Sequence, residues 1–319
     1  MKKIVLILKV LVFLALSFTK IVFAAPINSV PQFVMDLLDP QSTGLTLGIG
    51  RQYSTSFESL SEFSKFYIVP PNYMGTASHQ ISKEQVHSGS SAHKAYMYGA
   101  NSQSSVENHN HRAYPTFKFE KTPIGILKDA VLVEFWVWDD IPLFRKEDAS
   151  WISLVTITSY NDDFWYRVEL IDLDEQNRVH LMHVPQHGDA KHDIFQTNTI
   201  SLPKKTWVKI TAYIDYTKNN RFDSPFIAVW QGDDQQGGQL VSAARFDARV
   251  NLDVALSLPN KPKCLDGLSA TPTIEEAEAL CNLNYTGGLA QAHFGLYSPP
   301  LLSTGVIYND DLNVAEILR

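Results

Sequence analysis

Several short stretches of this chain gather side chains that can move protons or bind charge. The first is His109-Asn110-His111-Arg112-Ala113-Tyr114. In a strand, His109, His111 and Ala113 face one way, and Arg112 and Tyr114 face the other. A guanidinium holds a carboxylate through two parallel hydrogen bonds. A phenol serves as an acid or, once its proton is drawn off, as a base. His109 and His111 also have the spacing of two metal ligands, but two ligands do not make a site. A solvated histidine cluster in a turn would carry the same sequence.

The second stretch is Arg178-Val179-His180-Leu181-Met182-His183-Val184. Alternation sets Arg178, His180 and Met182 on one face, and Val179, Leu181 and His183 on the other. Arg178 with His180 is the polar set. The third is Gln291-Ala292-His293-Phe294-Gly295-Leu296-Tyr297. Gln291, His293, Gly295 and Tyr297 share a face, and Gly295 leaves room for a ligand to approach the sheet. This suits an acid–base pair or a sugar-stacking floor, or ordinary packing. The fourth is Asn309-Asp310-Asp311, hard oxygen ligands compatible with a structural Ca²⁺, or equally a solvated edge turn.

Other chemistry lacks its signature. There is no Gly-rich phosphate loop, no His-Glu-x-x-His and no Gly-x-Ser-x-Gly elbow. In the acidic run from Glu169 to Glu175, Asp172 and Asp174 share a face and could pair as glycosidase carboxylates. The run matches neither Glu-x-Asp-x-x-Glu nor Glu-x-Asp-x-Glu of the laminarinase-like glucanases. The six Trp all lie in or at the start of expected strands, most of them core. One or two on an exposed concave face would stack on pyranose rings.

The elements that must position these residues are strands. Val131–Trp138 is β-branched, aromatic and apolar, as in a covered sheet. Residues 95–98, 116–119, 151–160, 164–173, 178–184, 207–216, 226–230, 239–246, 290–297 and 306–309 complete the series. Asn, Asp, Gly and Pro separate them, and the pattern predicts an all-β jelly-roll sandwich of two curved antiparallel sheets. Phe33–Leu38 suits a small capping helix, and Thr273–Leu280 carries acids in the first turn of another.

The start of the chain reads as an export signal, with an uncut membrane anchor as the alternative because Lys9 and Lys20 interrupt it. Lys2 and Lys3 precede an apolar run to Phe18, and Val22-Phe23-Ala24 suits a cut after Ala24. The expected organisation is therefore a signal peptide at 1–24, an N-terminal extension at 25–60 and a jelly roll at 61–319. The expected location is periplasmic or extracellular, and no later segment is long and apolar enough to span a bilayer. The whole chain carries a formal charge of −7, and the leader contributes lysines but no acids. That balance argues against nucleic acid as a partner, and a polyanion would need a local basic cluster. The two cysteines, Cys264 and Cys281, would form one disulfide in an oxidising compartment, clipping an insert at 258–288, or remain two thiols.

Together these motifs resemble the concanavalin A-like polysaccharide lyases, the alginate-lyase and heparin-lyase-like jelly rolls, over residues 60–319. His111-Arg112-Ala113-Tyr114 resembles the strand bearing Arg in an Arg-(Ser/Ala)-Glu setting, with Tyr114 where the acid stands. His180–His183 resembles the Gln-x-His strand, with His180 and Met182 in those two places. Ala292–Tyr297 resembles the strand ending in the catalytic Tyr. Asn309-Asp310-Asp311 resembles the closing strand of lectin- and lyase-type jelly rolls.

The resemblance implies β-elimination on a uronic-acid-containing polysaccharide with no redox cofactor. Arg112, helped by Gln291 or Arg178, would neutralise the carboxylate. His111 or His180 would act as base and Tyr297 as base or acid, with His109, Tyr114 and His293 contacting substrate. A non-catalytic, lectin-like carbohydrate-binding protein on the same fold is the alternative, and a glycoside hydrolase the third.

Overall fold

Val131, Val133, Phe135 and Val137 alternate along one strand and all point into the main hydrophobic core. Their strand is the axis around which the larger of two sheets is built. The computed structural model describes residues 24–59, 62, 76–101, 110–144, 151–160, 166–184, 193–195, 200–217, 220–235, 237–245, 276 and 288–319. Side chains at 120, 158–169 and 183–195 are not described. The leader up to Phe23, His109, Cys264 and Cys281 lie outside the described residues, as does the 273–280 helix apart from Glu276.

In chain order the elements are α1 (Gln32–Leu38), β1 (Gly48–Thr55), β2 (Ala77–Ser82), β3 (Ala92–Met97), β4 (His111–Ala113), β5 (Thr116–Lys118), β6 (Leu127–Lys128), β7 (Ala130–Asp140), β8 (Ile152–Tyr160), β9 (Tyr166–Leu173), β10 (Val179–Val184) and β11 (Asp193–Phe195). There follow β12 (Trp207–Asp215), β13 (Phe226–Gln231), β14 (Gln239–Arg245), β15 (Gly288–Leu289), β16 (Gln291–Ser298) and β17 (Gly305–Leu318). An eight-stranded sheet runs β14-β13-β12-β7-β17-β3-β2, with β1 also on β17. A seven-stranded sheet runs β11-β10-β9-β8-β16-β4, with β5 also on β16. All the pairings in both are antiparallel. The sheets pack face to face around Phe117, Phe135 and Phe294, whose rings meet edge to face. The arrangement is the expected jelly-roll-like sandwich.

β17 joins the larger sheet together. One of its sides pairs with β7 along nearly its whole length, and the other pairs first with β3 and then with β1. The change of partner falls at a bulge between Asp310 and Asn313, where Asp311 takes a left-handed backbone (φ 46°). The sandwich is also tied across its end. Buried Asp139, on β7, accepts hydrogen bonds from Lys204 and from Asn177, at 2.8 Å each. Asn177 belongs to the turn between β9 and β10 of the smaller sheet.

The outer face of the larger sheet is half covered. Val34 and Leu38 of α1 pack on Leu132, Tyr213, Trp230 and Ile317. The apolar run at 33–38 thus forms a helix because it has a second apolar face to cover. Among the described residues, no helix is long and apolar enough to cross a membrane.

Candidate functional site

Register places five polar or aromatic residues in one line across the outer face of the smaller sheet. Arg112 on β4 lies opposite Tyr297 on β16. Tyr297 lies opposite Ser153 on β8, Ser153 opposite Asp172 on β9, and Asp172 opposite His180 on β10. Directly opposed residues share a face, so all five point away from the core that Leu296, Ile152, Leu173 and Val179 enter. Four strand spacings put the ends of this line on the order of 19 Å apart. A second line beside it carries Thr116, His293, Thr156, Leu170 and Met182.

The two ends differ in character. At the β4–β16 end, the Arg112 guanidinium lies 4.9 Å from the centre of the Tyr297 ring, a cation–π geometry. The Tyr297 hydroxyl accepts a hydrogen bond from the Asn110 amide at 3.1 Å. Trp151 packs on Tyr297 with ring centres 4.8 Å apart. Tyr114 stacks on His293 at 4.6 Å and meets Tyr297 edge-on at 6.2 Å. Arg112, His293 and Tyr297 are half-buried, so a ligand can reach this end. Burial first, then the charges of Arg112 and Lys118, push the His293 imidazole down to about 3. His293 is therefore neutral at ordinary pH, and Arg112 and Lys118 bring positive charge close beside it.

At the other end, Asp172 and His180 are almost completely buried. The carboxylate Oδ2 and imidazole Nε2 are 3.9 Å apart, beyond hydrogen-bond length. Burial pushes Asp172 up to about 8. The neighbouring Ser153 hydroxyl offsets only part of this, since it donates to the Val155 carbonyl at 3.0 Å. Burial lowers His180, so both groups favour their neutral forms near pH 7.

Several expected roles need correction. His111 faces the interior, opposite Ser298. It is fully buried, and its Nε2 lies 2.7 Å from the Leu302 carbonyl and 3.2 Å from that of Pro300. Alternation from Arg112 separates the two, and His111 anchors the 300–302 turn instead of reaching the open face. Arg178 is committed to Asp174 through its backbone and guanidinium at 2.6–2.8 Å. Neither is therefore available: Arg178 to assist Arg112, nor Asp174 to pair with Asp172. Gln291 does share the face, opposite Lys118. His180 shares it too, but buried and at the far end.

Gly295 does not admit a ligand. A Cβ there would lie 2.4 Å from the Ala113 carbonyl and 3.1 Å from Tyr114 Cβ, so Tyr114 itself fills the space between His293 and Tyr297. The three candidate metal ligands do not converge either. Asn309 points into the sandwich opposite His93 and Val137, and Asp310 points out. Asp310 accepts from the His87 and Ser88 backbone at 2.9 and 3.1 Å. Asp311 takes the His87 ring at 2.7 Å and the Ser88 hydroxyl at 2.6 Å. Among the described residues, no group of three or more His, Cys, Asp or Glu has metal-binding geometry.

The sequence alone gives no role to Asn110 or Lys118 and does not single out Trp151 among the six Trp. Lys118 was recoverable: the parity of Arg112 and Tyr114 continues through Thr116 to Lys118 along β4 and β5.

No family model matches this chain, and no curated protein does. Similar solved structures include "Cellulose induced protein, Cip1" at 12% identity and TM-score 0.49, covering 82% of this chain and 96% of that one. An endo-β-1,4-glucuronan lyase from the fungus Trichoderma reesei aligns at 8% identity and TM-score 0.48, covering 84% and 96%. Alginate lyase vAL-1 from a Chlorella virus aligns at 11% and 0.47, covering 83% and 98%. The similarity to jelly-roll polysaccharide lyases is distant and of low identity.

Proposed function

We propose that this chain is an exported polysaccharide lyase that breaks a uronic-acid-containing polymer by β-elimination at the Arg112–Tyr297 end of the smaller sheet. The reading is carried by one observation: a guanidinium lies 4.9 Å from a phenol ring on a reachable face, with the neutral His293 four residues before that phenol along β16. Arg112 would pair with the uronate carboxylate and stabilise the negative charge that spreads onto it as C5 loses its proton. The electron pair left at C5 forms the C4–C5 double bond as the C4–O bond breaks. Tyr297 would carry the proton from C5 to the departing oxygen. Lys118 would attract the polyanion, and neutral His293 would hydrogen-bond the sugar without adding charge. This assignment uses His293 in place of His111, and gives His180 no direct contact with the reacting carbons.

A second reading, glycan binding without chemistry, is favoured by the setting of Tyr297. Its ring packs against Trp151, Leu170 and Met182 and its hydroxyl already takes the Asn110 amide. A phenol so held suits a stacking floor as well as a proton carrier.

The test is incubation of the mature chain with alginate, polygalacturonate, glucuronan and heparin-type polymers, following the ultraviolet absorbance of the unsaturated product. The lyase reading expects product with at least one polymer, and its loss in Tyr297→Phe. Binding without product from any of them supports the second reading. Product formation unchanged in Tyr297→Phe removes Tyr297 from the reaction.

A further inference from the structure

We propose that the outer face of the larger sheet carries a second carbohydrate site, one that takes a neutral polysaccharide, centred on Trp138 and Trp207. Along β7 the core takes Val131, Val133, Phe135 and Val137, so Glu134, Trp136, Trp138 and Asp140 face outward. α1 covers only the part of this face around Leu132 and Tyr213. Beyond it, Trp207, Trp138 and Tyr308 stand side by side in one cross-strand line over β12, β7 and β17, and Lys94 on β3 continues it. Trp138 and Trp207 are only half-buried. Tyr308 itself is buried and backs them. Two adjacent indoles left partly in contact with water forgo part of their burial energy, and such aromatic pairs mark binding surfaces.

The strip is a built feature. Tyr308 meets Trp138 edge to face at 5.3 Å, and its hydroxyl donates to Glu84 at 2.6 Å. The next line holds Trp136, on which His87 stacks with ring centres 3.8 Å apart. His87 also meets Trp207 at 5.7 Å. It is held there by Asp311 through its ring and by Asp310 through its backbone. The acidic pair that suggested a metal thus fixes one wall of the strip.

Charge decides the ligand. Each of Lys94, Lys205 and Lys209, the lysines bordering the strip among the described residues, is paired with an acid: Glu84 at 2.6 Å, Asp140 at 3.4 Å and Glu134 at 2.8 Å. These three lysines are thus already matched by carboxylates, and Asp310 and Asp311 lie close by. Pyranose rings without carboxylates offer one apolar C–H face to an indole and a rim of hydroxyls to the surrounding carboxylates and ammonium groups. A neutral glycan meets both conditions and a polyuronate does not.

This site lies on the other side of the sandwich from Arg112, so either can fail alone. The test is native electrophoresis of the mature chain through gels containing hydroxyethylcellulose, mixed-linkage β-glucan, arabinoxylan or galactomannan, with alginate and polygalacturonate in parallel. At least one neutral polymer is expected to retard the protein. Trp138→Ala and Trp207→Ala should each weaken that binding by about tenfold or more. Trp138→Phe, which keeps a ring, should weaken it less, and Arg112→Ala should leave it unchanged. Circular dichroism and melting identify the folded variants; should one alanine variant not fold, the other and Trp138→Phe decide. No retardation by any neutral polymer overturns the proposal, as does undiminished binding by the folded Trp variants. Binding lost in Arg112→Ala would instead place the neutral polymer on the opposite face.

Discussion

Asp172 and His180 face each other across β9 and β10 with Oδ2 and Nε2 3.9 Å apart, and among the described residues neither side chain is within good hydrogen-bond reach of the other's polar atoms. Buried polar groups left in this state weaken a fold. Asp172 has its folded-state pKa pushed up to about 8 from an ordinary 3.8. Below pH 3.8 both folded and unfolded chains hold the proton, and Asp172 costs nothing through ionisation. As pH rises from 3.8 to 8 the unfolded chain releases it and the folded chain does not, so stability falls. Asp172→Asn removes this term. The variant should match wild type near pH 3.5 and exceed it at pH 7 by up to about 4 kcal/mol, read as a rise in melting temperature. Parallel stability–pH curves for the two proteins would contradict the burial argument.

The histidines act with the opposite sign. His79 Nδ1 and His93 Nε2 lie 3.1 Å apart, with His93 between the sheets against Phe57. Burial pushes His79 down to about 4, and burial with the nearby His79 holds His93 well below the ordinary imidazole value. Their contribution is whole above pH 6.5 and is lost as pH falls, because the unfolded chain gains protons that the folded one refuses. For His79 the loss between pH 6.5 and 4 is on the order of 3 kcal/mol. His79→Gln, which can still bond His93, should flatten the acid limb of the stability curve. An unchanged acid limb would show that the pair does not govern it.

Where the chain turns over substrate, His293 should add no ionisation to the rate profile above pH 5, because it is neutral from about 3 upward. His293→Gln is expected to lower kcat/KM by about tenfold while keeping the wild-type profile. Arg112→Lys retains charge but loses the planar fork, and should lower it further, by about a hundredfold. Steady-state rates across pH check both. A limb that vanishes with His293→Gln would make it a titrating acid or base.

The sequence made some of this face legible and hid the rest for physical reasons. Alternation separated Arg112 from His111 and grouped His180 with Met182, because side-chain parity is local. Which parity faces the core depends on the partner sheet, so nothing local reveals that His111 faces inward. The Arg112–Tyr297–Ser153–Asp172–His180 line follows from registers over five strands, two of them altered by bulges, which no local pattern encodes. β1 and β2 are polar and glycine- or serine-rich, and they stay extended because β17 and β3 supply backbone partners. β17 looked finished at Asp310-Asp311. It continues through a bulge because Leu312 and Val314 enter the core while Ala315 and Ile317 pack under α1.

Gly295 offers the sharpest test of how the Tyr114–His293–Tyr297 cluster is held. Its φ of 143° lies where side chains are strained, and a Cβ would stand 2.4 Å from the Ala113 carbonyl, 2.9 Å from His93 Cε1 and 3.1 Å from Tyr114 Cβ. Backbone on one side and core on another leave nothing flexible to yield. Gly295→Ala should cost about 2–4 kcal/mol and push Tyr114 off His293. Gly237 is the control, since its φ of 80° is also positive but nothing lies within 4 Å of an added Cβ. Gly237→Ala carries only the backbone strain, about 1 kcal/mol. Denaturant unfolding measures both costs, and the ring-proton shifts of Tyr114 and His293 report the stack. Equal costs at the two glycines would mean that β4 and β16 separate easily, and that Tyr114 is not fixed by the close approach of the two strands.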